Sequence, residues 1–256
     1  MKGPDLPRMS DIVWIGASPE QIPDALLEPG VVIKTNNGSG RNIFINDAQV
    51  NRAQINQQVT EWLTQPYGIP EGEWNYRDIR PYVFIERLVC APGDPQFVDI
   101  SCHVLMGRCM LATVEKDVKQ NTERIAVYDA KANRLPMSLG NCLELPENYP
   151  VPTTFENAVA FAESIARDFD YIRVDFISAG GQLYFCECTV IPMAGFSVIG
   201  AEADERINAA WDLRNSWFMR RPQRGIRRVY CRLYDYCLSD PARCSKPAAP
   251  INIAQN

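Results

Sequence analysis

Short apolar runs dominate the chain, and two longer stretches change to helical spacing. DIVWIG near the N-terminus predicts a short strand. VVIK, the polar loop TNNGSGRN and NIFI then predict strand, glycine-containing loop and strand. Residues 47–64 place Val50, Ile55, Val59 and Leu63 on an approximate stripe, which predicts a helix. A Pro/Gly/Trp-rich stretch, QPYGIPEGEWNYRDIRP, interrupts the periodicity as a structured loop, and PYVFIERLV after it reads as a buried strand. FVDISCHVLMG and RCMLATVEK predict a hairpin turning at Gly107. Residues 153–168 predict an amphipathic helix with Thr154 as its N-cap. YIRVDFISAGGQLYFCECTVIP is the clearest hairpin of the chain, and no internal repeat or low-complexity tract accompanies it.

Composition narrows the class of protein. The 256 residues are 46% hydrophobic and 22% charged, in the range of globular domains. A net charge of −5 argues against a general nucleic-acid binder. No apolar run approaches the roughly 18 residues of a membrane span, and MKGPDLPRMSDIV lacks the apolar stretch of a secretory signal. Nine cysteines, an odd number with no CxxC pair, predict reduced thiols and a cytoplasmic protein. The single histidine, His103, excludes any two-histidine metal site within one chain, and it reads as a structural residue of the DISCHVLM strand.

Three places have the residue types for chemistry. In VVIKTNNGSGRN, Lys34 ends a strand beside a loop with Gly38 and Gly40, which suits a flap closing over phosphates; on its own the segment reads as a plain hairpin with an Asn-Gly turn. It is not a Walker A loop, because GxxxxGK[ST] is absent. Glu86 closes the apolar strand YVFIE, where a carboxylate can accept from ribose hydroxyls or simply mark a strand end. In the last hairpin, Arg173 and Asp175 share one face of their strand, and Glu187 and Thr189 share one face of theirs. An odd-length connecting loop sets all four side chains on one face, with Arg173 opposite Glu187; a two-residue Ala179-Gly180 turn sets Glu187 on the other face from Asp175. The first arrangement gives an oxygen site for Mg²⁺, and an Arg173–Glu187 ion pair is the alternative. Asp99, Lys116 and Asp117 flank the preceding hairpin within reach of a pocket. Between Arg214 and Arg232 the chain has seven arginines and no acid, a pattern read as the solvated face of a C-terminal helix, with a phosphate- or membrane-facing helix as the alternative.

Taken together, VVIKTNNGSGRN, the run EWLTQPYGIPEGEWNYRDIRPYVFIERLV with its GEW-x-Y-x-x-I-x-P pattern (Gly72 to Pro81), YDAKANRL, and YIRVDFISAGGQLYFCECTVIPMAGF resemble the teichuronopeptide-biosynthesis (TupA-like) family of the ATP-grasp superfamily, over approximately residues 11–200. The resemblance implies an α+β ATP-grasp fold with ATP between two α+β subdomains. It implies a phosphate-contacting Lys34, a phosphate loop of Gly38, Ser39 and Gly40, and a hinge acid Glu86 with Arg87 and Leu88 supplying hinge backbone. It also implies magnesium ligands Asp175 and Glu187, with Thr189 where many ATP-grasp enzymes have asparagine. Three positions depart from the family pattern. Asn37 replaces the histidine of H-G-S-G, Asp99-Ile100-Ser101-Cys102 replaces D-Y-K-F, and Lys116 replaces the arginine of D-R.

The expected division is a lead-in over 1–30, a small nucleotide-binding subdomain over 31–88, a large catalytic subdomain over 89–200 and a basic helical tail over 201–256. The chemistry implied is a Mg-ATP-dependent carboxylate ligase whose acylphosphate is attacked by an amine, in cell-surface polysaccharide or peptide-conjugate synthesis, with Arg173 and Lys116 as catalytic residues. A phosphotransferase onto a sugar or polyol hydroxyl and a non-catalytic nucleotide-binding module are the alternatives. The expected partners are a small-molecule or glycan-linked carboxylate and an amine donor, with peripheral membrane contact through the basic tail and no nucleic acid. The resemblance also implies a stretch before the nucleotide-binding part that is shorter here than in family members.

Overall fold

The computed structural model describes residues 6–46, 50–68, 72–90, 97–118, 123–137, 142–195 and 200–239. Two sheets organise them. The smaller contains β1 (Ile12–Gly16), β2 (Val31–Thr35), β3 (Asn42–Ile45) and β4 (Val83–Arg87) in the antiparallel order β1-β4-β2-β3. Strand alternation gives this sheet two faces. Val31, Ile33, Val83 and Ile85 bury against Ile55 and Val59 of α1 (Arg52–Thr64). Lys34 and Glu86 are offset by one residue from those positions and lie on the other face. Helix α1 begins at Arg52 because the Asn51 side chain accepts from the Gln54 N–H at 3.1 Å, capping the first turn. The first positions of the helix expected over 47–64, residues 47–49, lie outside the described residues.

The larger sheet has the order β10-β9-β5-β6-β7-β8. Its strands are β5 (Val98–Leu105), β6 (Arg108–Lys116), β7 (Arg124–Tyr128), β8 (Leu143–Glu144), β9 (Tyr171–Ala179) and β10 (Gln182–Thr189); only β7 and β8 run parallel. Ile100, Cys102, Val104, Ala112, Val114, Ile172, Val174 and Phe176 form the core with Phe155, Ala158 and Ala162 of α2 (Phe155–Ile165). Each fully buried large aliphatic or aromatic side chain of this kind contributes about 1.5–3 kcal/mol. The opposite face is covered only in part. Ala203 and Ile207 of α3 (Ala201–Ala210) pack on Leu111, Ile125 and Val127, and the rest of that face opens as a cleft.

Three local expectations change. Thr154 does not cap α2; its hydroxyl donates to Ser178 Oγ at 2.8 Å and ties the helix start to β9. The lead-in is part of the fold, since β1 pairs with β4, and Arg8 bridges Tyr184 through bonds of 2.9 Å to Leu183 and 2.8 Å from Phe185. The large lobe extends past residue 200, because α3 buries Ala203 and Ile207 in it; the arginine-rich segment follows this helix. Among the described residues no helix is long and apolar enough to cross a membrane.

Candidate active site

The β9–β10 hairpin turns through Gly180 and Gly181, both with positive φ (56° and 73°), a two-residue connection that glycine permits at no steric cost. Gln182 therefore pairs with Ala179, and an uninterrupted ladder would set Glu187 opposite Val174, on the core face. A β-bulge between Phe185 and Glu187 inserts Cys186 and reverses the alternation. Glu187 now pairs with Asp175 and Thr189 with Arg173, so the four side chains share the cleft face. The turn has two residues, but at Gly180–Gly181 rather than Ala179-Gly180, and the four side chains share a face through the bulge rather than an odd-length loop, with Asp175 instead of Arg173 opposite Glu187.

Arg173 grips Asp175 through bonds of 2.8 and 3.0 Å from Nε and 2.7 Å from a terminal nitrogen, and lies 3.7 Å from Glu187. Strand β5 carries Ser101 beside Asp175 and His103 beside Arg173. On β6, Glu115 pairs with Asp99, and Thr113 donates to the Glu115 carboxylate. Burial, with Asp175 adding to it, holds Glu115 above the usual carboxylate range. Glu115 is among the cleft residues that the sequence candidates do not include. Ala112 and Val114 are core residues, so alternation alone puts Glu115 on the cleft face and Lys116 on the opposite one. Lys116 accordingly does not line the cleft.

His103 is buried, and its Nδ1 lies 2.7 Å from the Tyr171 hydroxyl. Burial, and then the Arg173 charge, lower its pKa from 6.5 to about 4, so the ring is neutral at pH 7. The unfolded chain protonates this ring near 6.5, so between pH 6.5 and 4 the unfolded state binds more protons and stability falls as pH falls. The contribution reaches about 3 kcal/mol. Glu115 acts in the opposite sense, so the test compares variants at matched pH. His103→Gln should lose about 2–3 kcal/mol less than the parent between pH 7 and pH 4 in urea unfolding; parallel pH profiles would contradict this origin.

Of the small-lobe site candidates Ser39 alone is among the residues that line this cleft; Lys34, Gly38, Gly40 and Glu86 are not. Lys34 Nζ donates to Glu86 at 2.6 Å, a diagonal pair across β2 and β4. Ser39, from the glycine loop, lines the cleft. The loop is anchored rather than free. The Asn37 side chain donates to the Trp62 carbonyl at 2.9 Å, and Arg41 donates to the same carbonyl at the end of α1. A Cβ on Gly38 would come within 2.9 Å of the Tyr67 ring, so that position has room for glycine only. Tyr67 in turn meets Tyr76 edge-to-face at 5.0 Å. Burial, and then the charge of Glu187, push the Tyr76 hydroxyl up to about 12. Tyr76 of the Gly72–Pro81 motif thus packs through Tyr67 on the glycine loop and feels the charge of Glu187 on β10. YDAKANRL is structural as well: Asp129 accepts from the Lys131 and Asn133 amides at 2.8 and 2.9 Å and closes a turn. The amides expected as hinge backbone are engaged within the lobe, Arg87 N–H with Asp11 O at 3.0 Å and Leu88 N–H with Gly30 O at 2.9 Å. Donation to an adenine from either would require that bond to be given up.

The cleft has a volume of about 1420 Å³. Asp99, Glu115, Glu123, Asp168, Asp170, Asp175, Glu187 and Asp204 line it, and among the described residues Arg173 is the one lysine or arginine that does. The excess is felt locally: burial first, then Asp99, Asp175 and Glu187 among nearby charges, push the Cys186 thiol up to about 12. Among the described residues no three His, Cys, Asp or Glu side chains converge closely enough to hold a metal ion by themselves. Two paired carboxylates in a surplus of negative charge do fit Mg²⁺, which takes one or two protein carboxylates and completes its shell with phosphate oxygens and water.

The family described as TupA-like ATPgrasp matches residues 7–209. Among solved structures, D-alanine–D-alanine ligase from Bacillus anthracis complexed with ATP is 16% identical with a TM-score of 0.42, covering 79% of this chain and 55% of that one. The ATP-grasp ligase PsnB complexed with minimal precursor, Mg and ADP is 14% identical with a TM-score of 0.37, covering 79% of this chain and 53% of that one. The macrocyclase MdnC bound with precursor peptide MdnA from Microcystis aeruginosa MRC is 13% identical with a TM-score of 0.30, covering 80% and 56%. The chain thus spans little more than half the length of these proteins. A search of curated proteins returns no match. The family match takes in the β1 edge strand, the glycine loop, both sheets and nearly all of α3, and the chain belongs to the TupA-like ATP-grasp family, with the α+β fold of that superfamily.

Proposed function

We propose that the chain is a Mg-ATP-dependent ligase that activates a carboxylate as an acylphosphate and transfers the acyl group to an amine, in cell-surface polysaccharide or peptide-conjugate synthesis in the cytoplasm. The observation that carries this reading is the Cys186 bulge, which brings Glu187 onto the face of Asp175 and Arg173 in the cleft that Ser39 also lines. The pathway and compartment rest on the family resemblance and on the cysteine pattern.

Lys34 and the backbone N–H groups of the Gly38–Gly40 loop bind nucleotide phosphates in this reading, and Glu86 accepts from the ribose. Asp175 and Glu187, with Thr189 beside them, would hold Mg²⁺, which when bound screens the charge of the transferring phosphoryl group. A substrate carboxylate oxygen attacks the γ-phosphorus and ADP leaves. The amine nitrogen then attacks the acyl carbon, the oxyanion collapses, inorganic phosphate departs with the C–O bonding pair, and the nitrogen releases its proton. Arg173 offers its guanidinium to the acylphosphate and to the oxyanion. Lys116, on the far face of β6, has no part in this scheme.

The test is ADP release from Mg-ATP with carboxylate and amine supplied separately and together. Release that needs both, with an amide formed, supports the ligase. Phosphorylation of a hydroxyl acceptor without an amine overturns it in favour of a kinase. Nucleotide binding without turnover reduces the chain to a binding module. Failure of Mg-ATP to raise the unfolding temperature would overturn all three. Lys34→Ala should weaken Mg-ATP binding by about tenfold or more in titration calorimetry; an unchanged affinity would return VVIK to an ordinary strand.

A further inference from the structure

The arginine-rich segment has a feature that its composition does not reveal. Helix α4 (Trp217–Arg220) is fastened to the cleft rim, where the Trp217 N–H donates to the Asp170 carboxylate and Arg221 lies over the Trp217 ring at 4.6 Å. Helix α5 (Ile226–Leu238) follows and has no buried residue. It touches α4 through the Cys231 thiol and the Phe218 carbonyl at 3.8 Å. At 100° per residue, Ile226, Val229, Tyr230, Leu233 and Tyr236 fall on one arc. All five are exposed, Ile226 at 72% and Leu233 at 55%. Arg227 borders one side of this arc, and Arg228 and Arg232 border the other.

We infer that α5 is an interfacial helix that docks the protein on an anionic bilayer surface, its aliphatic and tyrosine face in the headgroup boundary and its arginines on lipid phosphates. Charge complementarity favours this occupant. Residues 214–232 carry +7 within a chain of net −5, which leaves −12 on the rest. Attraction to an anionic surface is thus confined to one end of an otherwise acidic molecule. Aliphatic side chains centred on the arc, tyrosines among them and arginines on both borders match a helix lying in a membrane interface. The inference goes beyond the ligase reading and does not depend on it.

Co-sedimentation of the full chain with vesicles, without nucleotide, is the test. Binding is expected to phosphatidylcholine vesicles containing about 30% phosphatidylglycerol, to weaken with salt, and to be absent with phosphatidylcholine alone. Arg228→Gln with Arg232→Gln should lower the partition about fivefold per arginine. Ile226→Glu with Leu233→Glu should lower it about tenfold or more, with an unchanged unfolding temperature because both sites are exposed. No binding to anionic vesicles would overturn the inference, as would undiminished binding by the Ile226→Glu/Leu233→Glu variant. A dimer in light scattering that this variant converts to monomer, without vesicle binding, would assign the face to a second copy of the chain.

Discussion

Glu187→Gln is expected to lower ATP-dependent turnover by about 100- to 1000-fold while leaving the fold intact. The side chain is 53% exposed, so its replacement by an isosteric amide should change stability by no more than about 0.5 kcal/mol. Its effect on charge is larger. The amide removes one of the two carboxylates that face each other across β9 and β10, and the remaining one, Asp175, is held by Arg173. A Mg²⁺ ion would then have to compete with the guanidinium for its only carboxylate partner in the pair. The measurement is initial rate against Mg²⁺ concentration, alongside thermal unfolding. A shift of the Mg²⁺ dependence to higher concentration together with the fall in rate is the expected signature. Parental turnover in this variant would remove Glu187 from the metal site.

The same residue shows where the sequence stopped being readable. Alternation shows that Arg173 pairs in face with Asp175 and Glu187 with Thr189, but relating the two strands needs the residue count between them. That count depends on the turn, which falls at Gly180–Gly181 where the sequence leaves an odd-length loop and an Ala179-Gly180 turn open, and on the extra residue at Cys186; an apolar-flanked Cys in FCEC carries no bulge signal. Strands and the two main helices were readable because each buries one face, as with Val31, Ile33, Val83 and Ile85 against α1. Glu115 is readable in principle from the Ala112 and Val114 alternation, whereas Lys116 stands out as a polar residue flanking the hairpin and as the counterpart of a family arginine, neither of which fixes the face it lies on. Trp211, Asp204 and Asn208 reach the cleft through α3 packing on Leu111 and Ile125, a long-range contact that no local pattern encodes. In the C-terminal segment, counting arginines suggested a solvated face, whereas the angular order of the apolar residues between them gives α5 its exposed stripe.

Arg173→Met should separate the two partners competing for Asp175. In the parent, three hydrogen bonds from Arg173 satisfy that carboxylate, and the guanidinium also lies near Glu187. Its removal leaves a half-buried carboxylate pair without its cation, which costs about 1–3 kcal/mol. It also takes away the group that would meet the oxyanion, so turnover is expected to fall by about 1000-fold. Lost activity and lost stability alone would fit a purely structural arginine. The distinguishing readout is Mg²⁺-dependent unfolding without nucleotide. Freed of the guanidinium, Asp175 and Glu187 should bind Mg²⁺ about tenfold more tightly than in the parent, so Mg²⁺ should recover part of the lost stability. Equal Mg²⁺ responses in parent and variant would mean that Asp175 and Glu187 do not form a cation site, and Arg173 would then be the cross-strand clasp of a binding cleft rather than part of a ligase centre.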